Sequence, residues 1–396
     1  MCLQTTEGSS SSEPPGHQGK DCTRPPSLVQ FLGEGNGSVG MRVKEREAVS
    51  IPADRVLVRE ARRTRHPRSR PCALSCVVAL SLALLLIPLA WSTELVVVPV
   101  DGPSASATEL HGITHTGQLV GTFWDVKGAH GLLCTPPLDA PCSQQSVSAL
   151  DLWFNGVKAV STQIQSITTG GRLAGFFADG KGASHGFLCT GFPANLDCHQ
   201  VDVTIDSVVM ANTLILGIDE QGQFVGSYRD VQSRIHGYLY ADGSFSRIDV
   251  PGALATVVSG ITTTSGKTIR IVGFFVDMKL ASHGFLCVLP VSQHCFTIFD
   301  VTLNGVPQAM TQATGITQQE LVGSFRDPGG QAHGFLCVLP ITSACFTQLD
   351  VRDGAHTEIL GVNDRGQLVG RFRDPTGLQH GFTTMAPSVG SAGQLP

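Results

Sequence analysis

The stretch ASHGFLCVLPVSQHCFTIFDV, residues 281–301, returns fifty positions later as QAHGFLCVLPITSACFTQLDV, residues 331–351. Both copies have His-Gly at their third and fourth positions, carry two cysteines at matching places and end in Asp-Val. Working outward, His-Gly occurs six times, at His130, His185, His236, His283, His333 and His380. The steps between them are 55, 51, 47, 50 and 47 residues. Each is preceded by Gly-x-aromatic-x-Asp, with Gly121, Gly175, Gly226, Gly273, Gly323 and Gly370 at its head. The aspartates are Asp125, Asp179, Asp230, Asp277, Asp327 and Asp374. A period near fifty residues points to the blades of a propeller or the coils of a solenoid.

The last unit shows how one repeat is written. TEILGVN reads as a first strand, DRGQ as a turn, LVGRFRD as a second strand and PTGLQ as the turn into a third strand at His380. Earlier units add a fourth strand ending in Asp-Val, so each repeat predicts four short antiparallel strands, the content of a propeller blade. The sixth unit has no fourth strand of its own. ELVVVPVD, residues 94–101, lies ahead of the first unit and ends in the matching aspartate. Asp101 is eleven residues before Gly112, as Asp249 is before Gly260 and Asp350 before Gly361. The expectation is therefore an all-β, six-bladed propeller closed by an N-terminal strand in the last blade, which leaves no open sheet edge. A solenoid would need a capping unit at each end instead.

Eight of the twelve cysteines fall in the repeats, as Cys134/Cys142, Cys189/Cys198, Cys287/Cys295 and Cys337/Cys345. Each pair spans the loop between a third and a fourth strand, where Cα atoms come within bridging distance. Four local disulfides are expected, and they imply an oxidising compartment. No Cys-x-x-Cys pair supplies the four ligands of a structural zinc site. In the third unit Tyr240 and Ser244 replace the cysteines and the loop shortens.

The Gly-x-Phe-x-Asp…His-Gly-Phe…Asp-Val unit resembles the HAF-type extracellular repeat of bacterial secreted proteins, with Gly where that repeat often has Ala. The resemblance covers roughly residues 94–385. It implies an exported, repeat-built β protein and carries no catalytic residues with it.

Six Asp and six His invite a metal or acid–base reading. A catalytic site needs different residues in different roles, whereas a group present in every unit serves what every unit needs. The repeated Asp and His are read as structural, bonding turn backbone or one another, as are Asp101, Asp151, Asp202, Asp249, Asp300 and Asp350. No catalytic residue, metal site or cofactor is assigned. The chain has no Gly-x-Ser-x-Gly, His-Glu-x-x-His, P-loop or dinucleotide motif.

Function is sought where the units differ. Three connections between units are four residues longer, with Asp151 to Ser166, Asp202 to Gly217 and Asp300 to Gly315 each fifteen apart. They would crown one face with apolar groups, Trp153 and Phe154 among them, and Asn155–Gly156 and Asn304–Gly305 read as hairpin turns. The non-repeating Asp206, Asp219, Glu220 and His356 complete the candidate ligand face.

The N-terminal quarter has a different composition. Residues 1–54 read as a disordered extension or a mis-assigned start, being rich in Gly, Ser and Pro. Residues 55–92 combine seven arginines with the apolar run Ala73–Trp91. That run is a secretory signal ending at AWS or, at nineteen residues, a single-pass anchor. Residues 93–385 form the repeat domain and 386–396 a flexible tail. After residue 92 the chain keeps 15 Lys/Arg and 24 Asp/Glu, a formal charge of −9. No basic patch remains for nucleic acid. The expected role is an extracytoplasmic binding or scaffolding module for glycans or proteins, touching a membrane only through the apolar segment. A propeller-type hydrolase or lyase is the alternative.

Overall fold

The computed structural model describes residues 93–137, 141–154, 156–292 and 294–385. The N-terminal extension, the apolar run, Asn155 and the tail after Met385 lie outside the described residues. Among the described residues the fold is all-β, with one 3-10 turn at Gln144–Ser146.

Each repeat forms one four-stranded antiparallel sheet with its strands in chain order. The fourth repeat is representative, running Ala255–Thr263, Ile269–Val276, Ser282–Val288 and Phe296–Phe299. Five sheets take all four strands from their own repeat. In the sixth, Gln379–Thr384 finds its outer partner in Val97–Pro99, with Val97 opposite Thr384 and Pro99 opposite Phe382. The preceding residues do something the sequence did not suggest. Thr93–Leu95 runs parallel to the outer strand of the fifth sheet, with Glu94 beside Asp350. The single strand expected over residues 94–101 is thus two pieces separated by the exposed Val96. Neighbouring sheets are twisted relative to one another, so one straight strand cannot continue the ladder of both.

The hydrophobic interior is divided into six seams, each between consecutive sheets. Val120 and Leu133 of the first sheet pack against Ile164 and Phe187 of the second, and Leu349 of the fifth against Ile359 and Phe382 of the sixth. Val369 of the sixth sheet packs with Leu110 of the first and with Val100 from the N-terminal segment.

These seams explain the repeated glycines. A Cβ on Gly334 would lie 2.5 Å from Ile359 Cγ1 of the next sheet, and one on Gly186 would meet Ile215 at 2.8 Å. The glycine of His-Gly is the point where one sheet lets the next approach. The glycine that opens Gly-x-aromatic-x-Asp has another task. A Cβ on Gly273 would sit 2.0 Å from Val257 O of the innermost strand, beside the register shift between Val258 and Gly260. The bulge forces the two backbones together, and no side chain fits between them.

All four expected disulfides are present, Cys134–Cys142, Cys189–Cys198, Cys287–Cys295 and Cys337–Cys345, and they indicate an oxidising compartment. The third sheet has none; there Tyr240 stacks on Phe224 at 4.6 Å.

Candidate functional site

Each sheet has two ends. One end holds the turns between second and third strands together with the connections to the next sheet. The other holds the first-to-second turns and the disulfide loops.

At the connection end every sheet carries the same clasp. Asp277 Oδ1 accepts the backbone N–H of Lys279 and of Ala281, which shapes the turn. His283 Nε2 lies 3.6 Å from Asp277 Oδ2, and its Nδ1 is 2.9 Å from Asp300 Oδ1 at the end of the fourth strand. The ring lies against Phe275, tilted by 33° with centroids 5.3 Å apart, which accounts for the aromatic of the repeat. The sixth clasp is closed from the far end of the chain, because His380 bonds Asp101 at 2.7 Å. Its turn carboxylate, Asp374, is pulled down to about 2 by the Thr376 hydroxyl, backbone N–H groups and His380. Each repeated Asp and His is therefore engaged with turn backbone or its partner. Among the described residues no group of three His, Cys, Asp or Glu could hold a metal ion.

A second device escaped the sequence reading. A buried threonine on each innermost strand accepts the N–H of the residue after the Asp of Asp-Val, as Thr311 does from Val301 at 3.0 Å and Thr357 from Val351 at 3.0 Å. In all six units this threonine stands four positions before the small residue of the innermost strand, Thr108 before Gly112 and Thr162 before Ser166. That spacing is present in the sequence but does not stand out among the many threonines.

The structure divides the candidate residues between the two ends. Trp153 and Phe154 lie on a small hairpin with Val157–Lys158. Trp153 is exposed, while Phe154 is half-buried and stacked on Phe177 at 4.4 Å. Asp206 sits at the tip of the corresponding hairpin, Thr204–Ile205 with Val208–Val209, at φ 50°. His356 accepts the Ala332 N–H at 3.3 Å; burial, then the charges of Arg373 and Arg326, hold its pKa below the usual value. These four residues belong to the connection end.

Asp219 and Glu220 are at the other end, in a cavity of about 1050 Å³ where all six innermost strands converge. Sequence reasoning grouped the two sets, and the fold separates them. Asp219 is buried and engaged: it accepts N–H bonds from Gln221 and Gln223 and the hydroxyl of Thr263 at 2.6 Å. Glu220 accepts the Thr169 N–H of the neighbouring sheet at 2.7 Å.

The cavity wall is made of residues that carried no signal singly. Gln165, Gln221, Ser259, Thr262 and Gln318 line it with amides and hydroxyls, with His111 at one side; Thr314 and Asn363 also line it, but the Thr314 hydroxyl donates to Ile359 O and the Asn363 amide is bonded to its own turn and to Thr114 O. Their common mark is position, since they cluster at the end of each innermost strand, where the repeat is least regular.

Beside His111 lies the buried charge cluster of the molecule. Arg371 of the sixth sheet bridges Glu109 of the first and Glu358 of its own innermost strand. Burial alone would raise the Glu109 carboxyl, but the Arg371 charge and contacts with His111 hold it below its usual value. His111 Nε2 is 3.4 Å from Glu109 Oε2, without the alignment of a hydrogen bond.

No family description and no curated protein matches the chain. Among solved structures it is similar to AofleA from Arthrobotrys oligospora, with TM-score 0.46, 8% identity, and 74% of this chain and 85% of that one covered. It is also similar to a mutant of the Aleuria aurantia lectin in complex with Fucalpha1-6GlcNAc, with TM-score 0.44, 10% identity and coverages of 72% and 95%. A third similarity is to Trypanosoma rangeli sialidase, with TM-score 0.42, 8% identity and coverages of 75% and 59%.

Proposed function

We propose that the chain is an exported, closed six-bladed propeller that binds a neutral glycan in the cavity at the convergence of its innermost strands. The observation that carries the reading is the chemistry of that wall. Hydroxyls and amides, Gln165, Gln221, Ser259, Thr262 and Gln318 among them, line about 1050 Å³, a volume suited to a small oligosaccharide. Both donors and acceptors are present, as sugar hydroxyls require. The charged groups at the mouth include Asp219, Glu220, Asp242 and Asp364 against Lys267, a balance that disfavours polyanions. The six seams and the Asp101–His380 clasp support closure of the ring, and the four disulfides support export. HAF-type repeat membership is part of the same proposal.

A hydrolase needs a carboxyl group free to exchange a proton with substrate. Asp219 has its oxygens committed to turn amides and Thr263, which leaves Glu220, Asp242 and Asp364 as the carboxyl groups a hydrolase would use; the amides and hydroxyls of the wall favour binding. The test is calorimetric titration of the full chain with neutral oligosaccharides, product formation being followed in the same samples. Saturable binding that Ser259→Trp abolishes at unchanged melting temperature is expected. Binding that survives the filled cavity would overturn the reading, and turnover would transfer it to the hydrolase.

A further inference from the structure

We propose that the glycan cavity continues sideways into a subsite between the third and fourth sheets, so that its ligand is an oligosaccharide and not a single sugar. This inference rests on the glycan reading and adds to it the length and direction of the ligand. Two neighbouring repeats depart from the pattern here, in opposite senses. In the third, the hairpin between third and fourth strands is closed by Asp242 and Gly243 alone, at φ 50° and 78°, with Ala241 opposite Ser244. In the four disulfide-bonded sheets the same connection is a loop whose cysteines are eight or nine residues apart. In the fourth repeat the hairpin between first and second strands is longer. Gly260 and Gly273 are thirteen residues apart, where Gly112 and Gly121 of the first unit, or Gly361 and Gly370 of the sixth, are nine. Pairing in the first sheet stops at Ile113 opposite Leu119. In the fourth it passes the matching pair, Ile261 with Ile271, and adds Thr262 opposite Arg270 and Thr263 opposite Ile269. Two added rungs carry this turn about 7 Å beyond its counterpart.

A low wall beside a high one leaves a cleft at the edge of the cavity. Ala241, Asp242 and Gly243 line the cavity from the low side, and Ser265, Lys267 and Ile269 from the high side. No described residue of the four disulfide loops lines it. Ala241 and Ile269 are half-buried and pack on the seam between these two sheets, which offers a small apolar surface to the C–H face of a sugar ring. Asp242 and Lys267 are exposed, and neither has an ion-pair partner among the described residues. The carboxylate accepts from sugar hydroxyls and the ammonium donates to them, and hydrogen bonds to charged groups are the stronger kind. The high wall is braced from behind, because Leu289 in the disulfide loop of the same sheet donates its N–H to Ile269 O at 3.0 Å. The cleft therefore stands before a ligand arrives, and little ordering opposes binding. The long and the short hairpin share one seam, so a glycan seated in the cavity meets there a surface that no repeated residue supplies.

The experiment is calorimetric titration of the full chain with glucose, galactose, mannose and their linear oligosaccharides of up to about six units. For the sugar that binds, affinity is expected to rise by about tenfold or more between the single unit and the trisaccharide, as charge-assisted hydrogen bonds in the cleft are added. The double variant Asp242→Asn/Lys267→Gly should remove that gain. Both positions have positive φ, 50° and 62°, which Asn and Gly adopt. Ser259→Trp, in the central cavity, should instead remove binding at every length. No gain with chain length would overturn the lateral subsite and leave the glycan reading standing, as would a gain that survives in the double variant. Absence of binding at every length in the parent would overturn both.

Discussion

Replacing Gly334 by alanine probes the contact on which the repeat is built. The added methyl would stand 2.5 Å from Ile359 Cγ1, 3.0 Å from its Cδ1 and 3.1 Å from Leu349 O. Carbon atoms in contact need about 3.5–4.0 Å, so Ile359 must retreat by about 1 Å. It has nowhere to go, being fully buried in the seam formed with Leu349, Val351 and Phe382. Overpacking of this kind costs about 1–3 kcal/mol. Alanine restores about 0.4–1 kcal/mol by restricting the unfolded chain, which leaves a net loss of about 1–2 kcal/mol. Ile359→Ala alone opens a cavity and should cost about 2–5 kcal/mol. In the double variant the methyl has room, so the combined loss should fall short of the sum by about 1–3 kcal/mol. Urea denaturation of the oxidised protein, followed by near-ultraviolet circular dichroism, gives all four free energies. Additivity within about 0.5 kcal/mol would show that the two sites do not meet, and the account of the His-Gly glycine would be wrong.

Removing the guanidinium with Arg371→Met should cost about 3–5 kcal/mol, because Glu109 then keeps a buried charge without its partner. Adding Glu109→Gln to that variant should recover part of the loss, and failure to recover any would place the damage in packing alone. The clasps make stability depend on pH. His333 is raised above its usual value by its bond to Asp350, against burial. His380 is raised as well, since the bond and charge of Asp101 outweigh burial. A raised folded pKa favours the protonated folded form, so this contribution is complete below about 6.5, the unfolded value. It is lost as pH rises through the folded value. The stability advantage of the parent over His333→Gln/His380→Gln, read from urea midpoints, should shrink between mildly acidic and alkaline pH. An advantage that grows with pH would contradict the sign.

Much of the fold could be read in the repeats because each repeated residue answers a local demand. The Asp turn, the His that bonds it, the aromatic beneath the imidazole and the cysteine pair lie within about one sheet, and their spacing is visible in the chain. The division of the N-terminal segment at Val96 was not legible, because the twist between the fifth and sixth sheets creates it. Nor was the Thr357–Val351 bond, since threonine recurs too often for one spacing to stand out.

The candidate site shows the same boundary more sharply. The chain by itself determined the repeated four-stranded unit, four disulfides and the pairing of the last repeat with a piece of the N-terminal segment, because hydrogen-bond ladders and short covalent loops follow from order and spacing. Which groups meet across sheets was decided by tertiary structure alone. Asp219 and Trp153 are equally non-repeating in the sequence, yet the direction of the strands carries one to the central cavity and the other to the opposite end. The cavity itself is drawn from six stretches some fifty residues apart, each contributing only ordinary polar residues, and they become a site only when the innermost strands converge.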